Sequence, residues 1–262
     1  SPVTKVLPQP PQISLSGVEC IYQQWPLYYS MTAYEAGVPG TNNDQWLTGI
    51  KTFAARTSRL REPYGYDRYL NMADVSSLAC YDYDSNSWQV IFDRDMYSGW
   101  NSQTLSHSYG FVDSLDAKVV PVDRTGAGTV FAAAHVPFHY AWGVGGSTDA
   151  DSEKVSIYWC KKAPGDGQWT KGSTVVRTWT ADERAMLENY LSNRRGAENG
   201  GVAISDDRNG NCHVFFTQWV GHDIIPWVQW EEFTYLRHGV ISGSSLSVDS
   251  GSNYYLGKDV AV

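Results

Sequence analysis

Only one stretch of this chain, from Thr174 to Trp219, carries a helical period with both a start and a stop signal, and that scarcity restricts the fold more than any other feature. Thr180 and Glu183 have the spacing of a capping box, the motif in which a threonine hydroxyl accepts from the N–H three residues on and that residue's carboxylate accepts from the threonine N–H. Asp182 and Glu183 suit the positive end of the helix dipole. Met186, Leu187, Tyr190 and Leu191 then recur at helical spacing, Arg194 and Arg195 fall in the last turn, and Gly196 offers a left-handed stop. The spacing predicts a helix near residues 181–195. Beyond it, two strand-like runs flank DDRNGN, in which Asn209-Gly210 is the dipeptide that a type I′ hairpin turn prefers. With a single helix available, strands must build the rest.

The remainder supports this. VECIYQQW and LYYSMTAY are weighted toward aromatic and β-branched residues, and GVPGTNNDQW breaks them. WLTGIKTFAARTSRL, from Trp46, reads equally as strand or short helix, because Gly49 and the threonines spoil a clean stripe. REPYGYDRYLNMAD and RDMYSGWNSQTLSHSYGF read as long loops. LACYDYDSNSWQVIF alternates around a DSNS turn, with Trp88, Val90 and Phe92 on one face. AKVVPV, TVFAAAHVPFHYAW and VSIYWCKK read as further strands, the last with Val155, Ile157 and Trp159 inward. More strand-like runs follow Cys212, broken at Pro226 and Gly239. The expected fold is therefore all-β, a mainly antiparallel barrel or sandwich with one short helix.

Domain organisation follows from composition. SPVTKVLPQPP places four prolines in eleven residues, so residues 1–12 read as a proline-rich linker in extended polyproline conformation. Residues 13–262 are long enough to form one β-rich domain with a sizeable core. Cys20, Cys80, Cys160 and Cys212 lie far apart in apolar runs, which excludes CxxC pairs and favours free, buried thiols. No run is long enough to span a membrane, no signal-peptide pattern opens the sequence, and no Asn-x-Ser/Thr acceptor occurs. The formal charge of -8 argues against a nucleic-acid partner.

No catalytic motif stands out. Asp82, Asp84, Asn86 and Asp93 match part of a calcium loop, but Ser87 stands where that loop needs glycine and no helices flank it. His135 and His139, split by Pro137, are too far apart along a strand to share a zinc ion. GVGGSTD and GVISGSS miss the nucleophile elbow, and no phosphate-binding glycine pattern occurs. A nucleophilic Cys212 would need a nearby histidine. Glu231, Glu232, Asp93 and Asp95 are free candidates for a glycosidase pair. The expectation is no enzyme, no cofactor and no metal.

What the chain has in abundance is aromatic surface chemistry, with 11 Trp and 17 Tyr. Such rings serve cores, interfaces and sugar-stacking platforms. Tyr64, Tyr66, Trp100 and Trp169 are the candidate binding residues. Trp227 and Trp230 in WVQWEEFTYL, and Trp25 in IYQQWPLYY, are candidates for a self-association surface. The proline-rich opening SPVTKVLPQPPQ, the size, the predominance of strands, the lack of secretory features and the unpaired-looking cysteines together resemble the capsid spike of astroviruses. That resemblance implies a β-barrel-like core, a two-fold homodimer on the virion surface, host-cell attachment through a protein or glycan receptor, and recognition by antibodies. Two other classes fit the composition: a bacterial or phage carbohydrate-binding module, which would be extracellular, and a β-fold glycoside hydrolase.

Overall fold

The computed structural model describes residues 6–11, 19–22, 28–36, 46–61, 72–92, 105–112, 114–121, 128–136, 138–143, 154–178, 201–207, 209–225, 229–251 and 254–261. The helix expected over 181–195 lies outside them. In chain order the strands are β1 (Glu19–Tyr22), β2 (Tyr28–Ala36), β3 (Trp46–Arg61), β4 (Met72–Asp82), β5 (Ser87–Phe92), β6 (Leu105–Phe111), β7 (Ser114–Pro121) and β8 (Gly128–Val136). They continue as β9 (Phe138–Gly143), β10 (Lys154–Lys162), β11 (Thr170–Thr178), β12 (Val202–Asp206), β13 (Cys212–Ile225), β14 (Gln229–Ser242), β15 (Ser245–Val248) and β16 (Tyr254–Ala261). No helix occurs among the described residues. All pairings are antiparallel except a short parallel contact of Met72 and Ala73 with His107 and Ser108.

Three sheets result. A seven-stranded front sheet runs β1-β3-β4-β6-β9 with β2 on β3 and β5 on β4; a four-stranded middle sheet runs β11-β10-β8-β7; a five-stranded back sheet runs β12-β13-β14-β15 with β16 on β14. Among the described residues none closes on itself, so the arrangement is stacked layers rather than a barrel. The middle sheet is sandwiched, and its two-residue period shows how. Val130, Ala132, Ala134 and Val136 of β8 join the core shared with Phe53, Leu78 and Phe92 of the front sheet. Phe131 and Ala133 join the core shared with Cys212, Val214 and Phe216 of the back sheet. On β10, Tyr158 and Cys160 face forward while Ile157 and Trp159 face back. The inward reading holds for Ile157 and Trp159, with the Val155 side chain outside the described residues, but the strand does not alternate in burial, because Tyr158 and Cys160 are buried on its other face. A strand covered on both faces reads as a continuous apolar run, as IYWC does.

Other local readings also change. WLTGIKTFAARTSRL is strand throughout, because β3 pairs with β2 and β1 along one edge and β4 along the other. A ladder on each edge outweighs its ambiguous period. The two long loops are shorter than expected, since β4 begins at Met72 and LSHSYGF forms β6. In β5 the partner of Leu78 is Phe92 but that of Ala79 is Val90, leaving Ile91 as a bulge. That extra residue puts Ile91 and Phe92 both in the core and turns Val90 out to 45% exposure, so Val90 and Phe92 do not share an inward face. In the DDRNGN loop Asp206 pairs with Cys212, and Gly210 is left-handed at φ 86 while Asn209 is not. The turn is thus a longer loop than the two-residue type I′ form.

The layers are also tied at their edges. β7 is an edge strand, and an open ladder invites unwanted pairing. The Ala117 N–H donates to Ser30 Oγ at 3.0 Å and the Val119 N–H to Thr32 Oγ1 at 2.9 Å, so hydroxyls of β2 occupy that edge. Asp116 accepts from Ser30 Oγ at 3.2 Å and from the Ile204 N–H of β12 at 2.8 Å. One carboxylate on the middle sheet thereby holds both outer sheets.

Candidate functional site

At one end of the stack the middle and back sheets part to leave a cleft of about 460 Å³. Its construction follows from register. Lys161 pairs with Thr170 on one side and Phe131 on the other, so all three share the back-facing side of the middle sheet. Thr129 continues that row on β8. Opposite them stand Ile241 and the β14–β15 turn residues Ser242, Gly243 and Ser244, with Gly210 and Asn211 of the β12–β13 loop. Asp166 closes the rim from the β10–β11 turn. Each of the three turns holds a left-handed glycine: Gly165, Gly210 and Gly243. Glycine adopts that conformation without a Cβ penalty, which fixes three tight rims around one opening.

The rim chemistry is polar over a buried apolar floor of Phe131 and Ile241. Asp166 Oδ2 caps its own turn by accepting from the Ala163 N–H at 3.0 Å. Asn211 Nδ2 donates to Asp207 Oδ2 at 2.7 Å, and among the described residues the Asn211 Oδ1 acceptor has no partner. Half-buried Lys161 has no carboxylate partner among the described residues. Hydroxyls, one amide, one ammonium and one carboxylate above an apolar floor suit a small polyhydroxylated ligand, and the volume lies within the ~300–1,000 Å³ of small-molecule sites.

Beside the cleft, on the outer side of the back sheet, a second constellation tests the catalytic readings. Asp207 accepts from Asn211 Nδ2 and from the Asn209 N–H at 2.8 Å, and these bonds hold its carboxyl well below the usual range. His213 Nε2 lies 3.5 Å from Asp207 Oδ2, and His213 Nδ1 lies 2.8 Å from His238 Nε2, with the two rings stacked. Ser205 is the direct cross-strand neighbour of His213. Serine, histidine and aspartate are therefore together, yet His213 Nδ1 is held by His238, and Nε2, which faces Asp207, has no hydrogen-bond partner among the described residues, so no hydrogen bond joins Ser205 to His213 there. Cys212 faces the opposite side of β13, fully buried, and burial pushes its thiol up to about 12. It is not poised as a nucleophile. Glu231 and Glu232 are consecutive on β14, where their backbone partners are His222 and Val260, and Gly221 and Asp259, respectively.

The remaining candidates fall as follows. Trp169 packs edge-on to Phe53 at 5.6 Å, donates Nε1 to Gln89 Oε1 at 2.8 Å and lies under the Lys162 ammonium, at the margin of the front core. Tyr64, Tyr66, Trp100, Trp25 and Trp227 lie outside the described residues, as do Asp93 and Asp95. Trp230 is on β14 opposite Asp223 and Ala261. Asp82, Asp84 and Asn86 serve the hairpin: the Asp84 N–H donates to Asp82 Oδ1 at 3.0 Å, Asp82 Oδ2 accepts from Lys51 Nζ at 2.7 Å, and Asn86 is left-handed at φ 53. His135 and His139 belong to different sheets, middle and front. Cys80, Cys160 and Cys212 are free thiols. The cleft residues were missed because Lys161, Asn211 and Ser242–Ser244 sit in separate hairpins. The signal present was a Gly-containing turn in each of those hairpins. No protein-family model, no curated protein and no solved structure matches this chain.

Proposed function

We propose that this chain is a non-enzymatic attachment module of the capsid-spike type, displayed on a virion surface as a homodimer and binding a host-cell receptor through a glycan held in the hairpin-rimmed cleft. The observation that carries the reading is the cleft itself: an ammonium without a carboxylate partner among the described residues, an amide and four hydroxyls from Thr129, Thr170, Ser242 and Ser244, over Phe131 and Ile241. Those groups match the alternating donors, acceptors and apolar face of a sugar ring. The stacked β framework supports it further, because rigid layers hold hairpin tips in fixed relation. The resemblance of the proline-rich opening and strand content to astrovirus spikes gives the setting. A microbial carbohydrate-binding module would use the same cleft without the virion.

Glycan-array binding by the purified chain is the direct test. Lys161→Ala should weaken the best glycan by about tenfold or more, the loss expected for a charged hydrogen bond, and Asn211→Ala by less. Array binding indifferent to both would remove the cleft from the reading. Light scattering should give a dimer mass and labelled protein should bind host cells. A monomer that binds glycans but no cells would favour the carbohydrate-binding module, and polysaccharide turnover would overturn the non-enzymatic assignment.

A further inference from the structure

Trp88 and Pro8 stand eighty positions apart in the chain, yet Trp88 Nε1 donates to the carbonyl oxygen of Pro8 at 2.9 Å. Two residues further on, Pro10 is buried, whereas Val6 on the other side is 87% exposed. The indole is held in place: it packs against Tyr81 at 5.3 Å between centroids, and Tyr81 is fixed by its hydroxyl donating to Asn86 Oδ1 at 2.7 Å and by the edge-on ring of Tyr83 at 5.2 Å. A polyproline helix has no internal hydrogen bonds, so its carbonyls are free to accept, and its stiffness lowers the entropy lost on docking. A rigid indole N–H aimed at a prolyl carbonyl is how aromatic surfaces read such a segment. Residues 7–11, LPQPP, are that segment in this chain.

We propose that the Trp88 side of the β4–β5 hairpin is a polyproline-recognition surface, that LPQPP is its resident ligand, and that it takes a proline-rich segment in trans when the resident is released. The inference stands apart from the glycan reading, since Trp88 is not part of the cleft. A tethered ligand competes at an effective concentration on the order of 1 mM. For an intrinsic dissociation constant of roughly 100 μM, the resident therefore weakens apparent trans binding about tenfold.

Fluorescence anisotropy with a labelled KVLPQPPQI peptide tests this on the 262-residue chain. The peptide should bind a Pro8→Gly/Pro10→Gly chain about tenfold more tightly than wild type. Adding Trp88→Phe, which keeps a ring on Tyr81 but removes the donor, should weaken that binding by about fivefold or more. A peptide with alanine for each proline should bind neither chain. The proposal is overturned if the released chain takes no peptide, if Trp88→Phe changes nothing, or if the alanine peptide binds equally well. Circular dichroism melts of each variant establish that the compared chains are folded.

Discussion

The two cores that share the middle sheet are filled on different plans. The front core holds two thiols, Cys80 and Cys160, and aromatic rings meeting edge to face, Phe92 with Tyr158 at 5.5 Å and Phe53 with marginal Trp169 at 5.6 Å. Its rim is partly polar: Lys171 Nζ donates to the Ile91 carbonyl at 2.6 Å while lying 4.9 Å from the Phe92 ring centroid. The back core is organised around one large side chain, Trp159, at 1% exposure. Its cross-strand neighbours are Ala133 and Gly172, and a Cβ on Gly172 would lie 2.8 Å from the indole Cζ2. Small residues on both flanking strands give the indole its seat. The front core is thus adaptable at its margin, whereas the back core is close-fitting at its centre, and a packed centre transmits a volume change more strongly.

The largest expected effect separates the two plans. Trp159→Ala should lower unfolding free energy by about 3–5 kcal/mol, the range for a large buried aromatic, while Trp169→Ala at the front margin should lose roughly half of that because less area is buried. Gly172→Ala should cost about 1–3 kcal/mol through overpacking, and Trp159→Phe should relieve part of it. Urea midpoints measure all four. Equal losses at Trp159 and Trp169 would erase the distinction between the cores.

Next in size is the tie that serves both. Asp116→Ala removes the acceptor for the Ile204 N–H and the partner of Ser30 Oγ. Leaving such donors unpaired should cost about 1–3 kcal/mol. Amide exchange should speed up at Ile204 in the back sheet and at Ala117 on the middle-sheet edge together; a change confined to one site would show that the carboxylate serves a single interface.

The smallest effect concerns the thiols. Burial pushes Cys80 and Cys212 up to about 12 and raises Cys160 well above the ordinary value. In the unfolded chain thiols ionise near about 8.5. A group kept neutral by the fold but ionised on unfolding contributes stability that is intact below about pH 8.5 and is lost as pH climbs toward 12. Among the described residues the front core has two such groups and the back core one. Replacing Cys80 and Cys160 by Ala should therefore flatten the decline between about pH 8 and 10 more than Cys212→Ala does, read from urea midpoints at each pH. The reverse order would contradict the assignment of two buried thiols to the front core.

Much of the strand content was legible. The alternation of LACYDYDSNSWQVIF and the breakers around each run located most of the strands, and the apolar settings of Cys80, Cys160 and Cys212 foretold buried free thiols. The misreadings share a cause. The Ile91 bulge, the full strand character of Trp46–Arg61 and the strand at LSHSYGF are decided by the neighbouring strand and its register, which a run's own pattern does not encode. The cleft was illegible for a related reason: Lys161, Asp166, Asn211 and Ser244 come from three hairpins that meet only when two sheets stack.

By itself the sequence determined that strands dominate, where turns fall, and which side chains seek an interior, because period, glycine and apolarity act within a few residues. Only the tertiary structure decided that the sheets form three open layers, that β8 and β10 are covered on both faces, and that Asp116 and Trp88 reach partners far away in the chain. Those outcomes depend on contacts between segments whose separation along the chain no local pattern records, and burial of both faces of one sheet becomes favourable only once the other two are present to cover it.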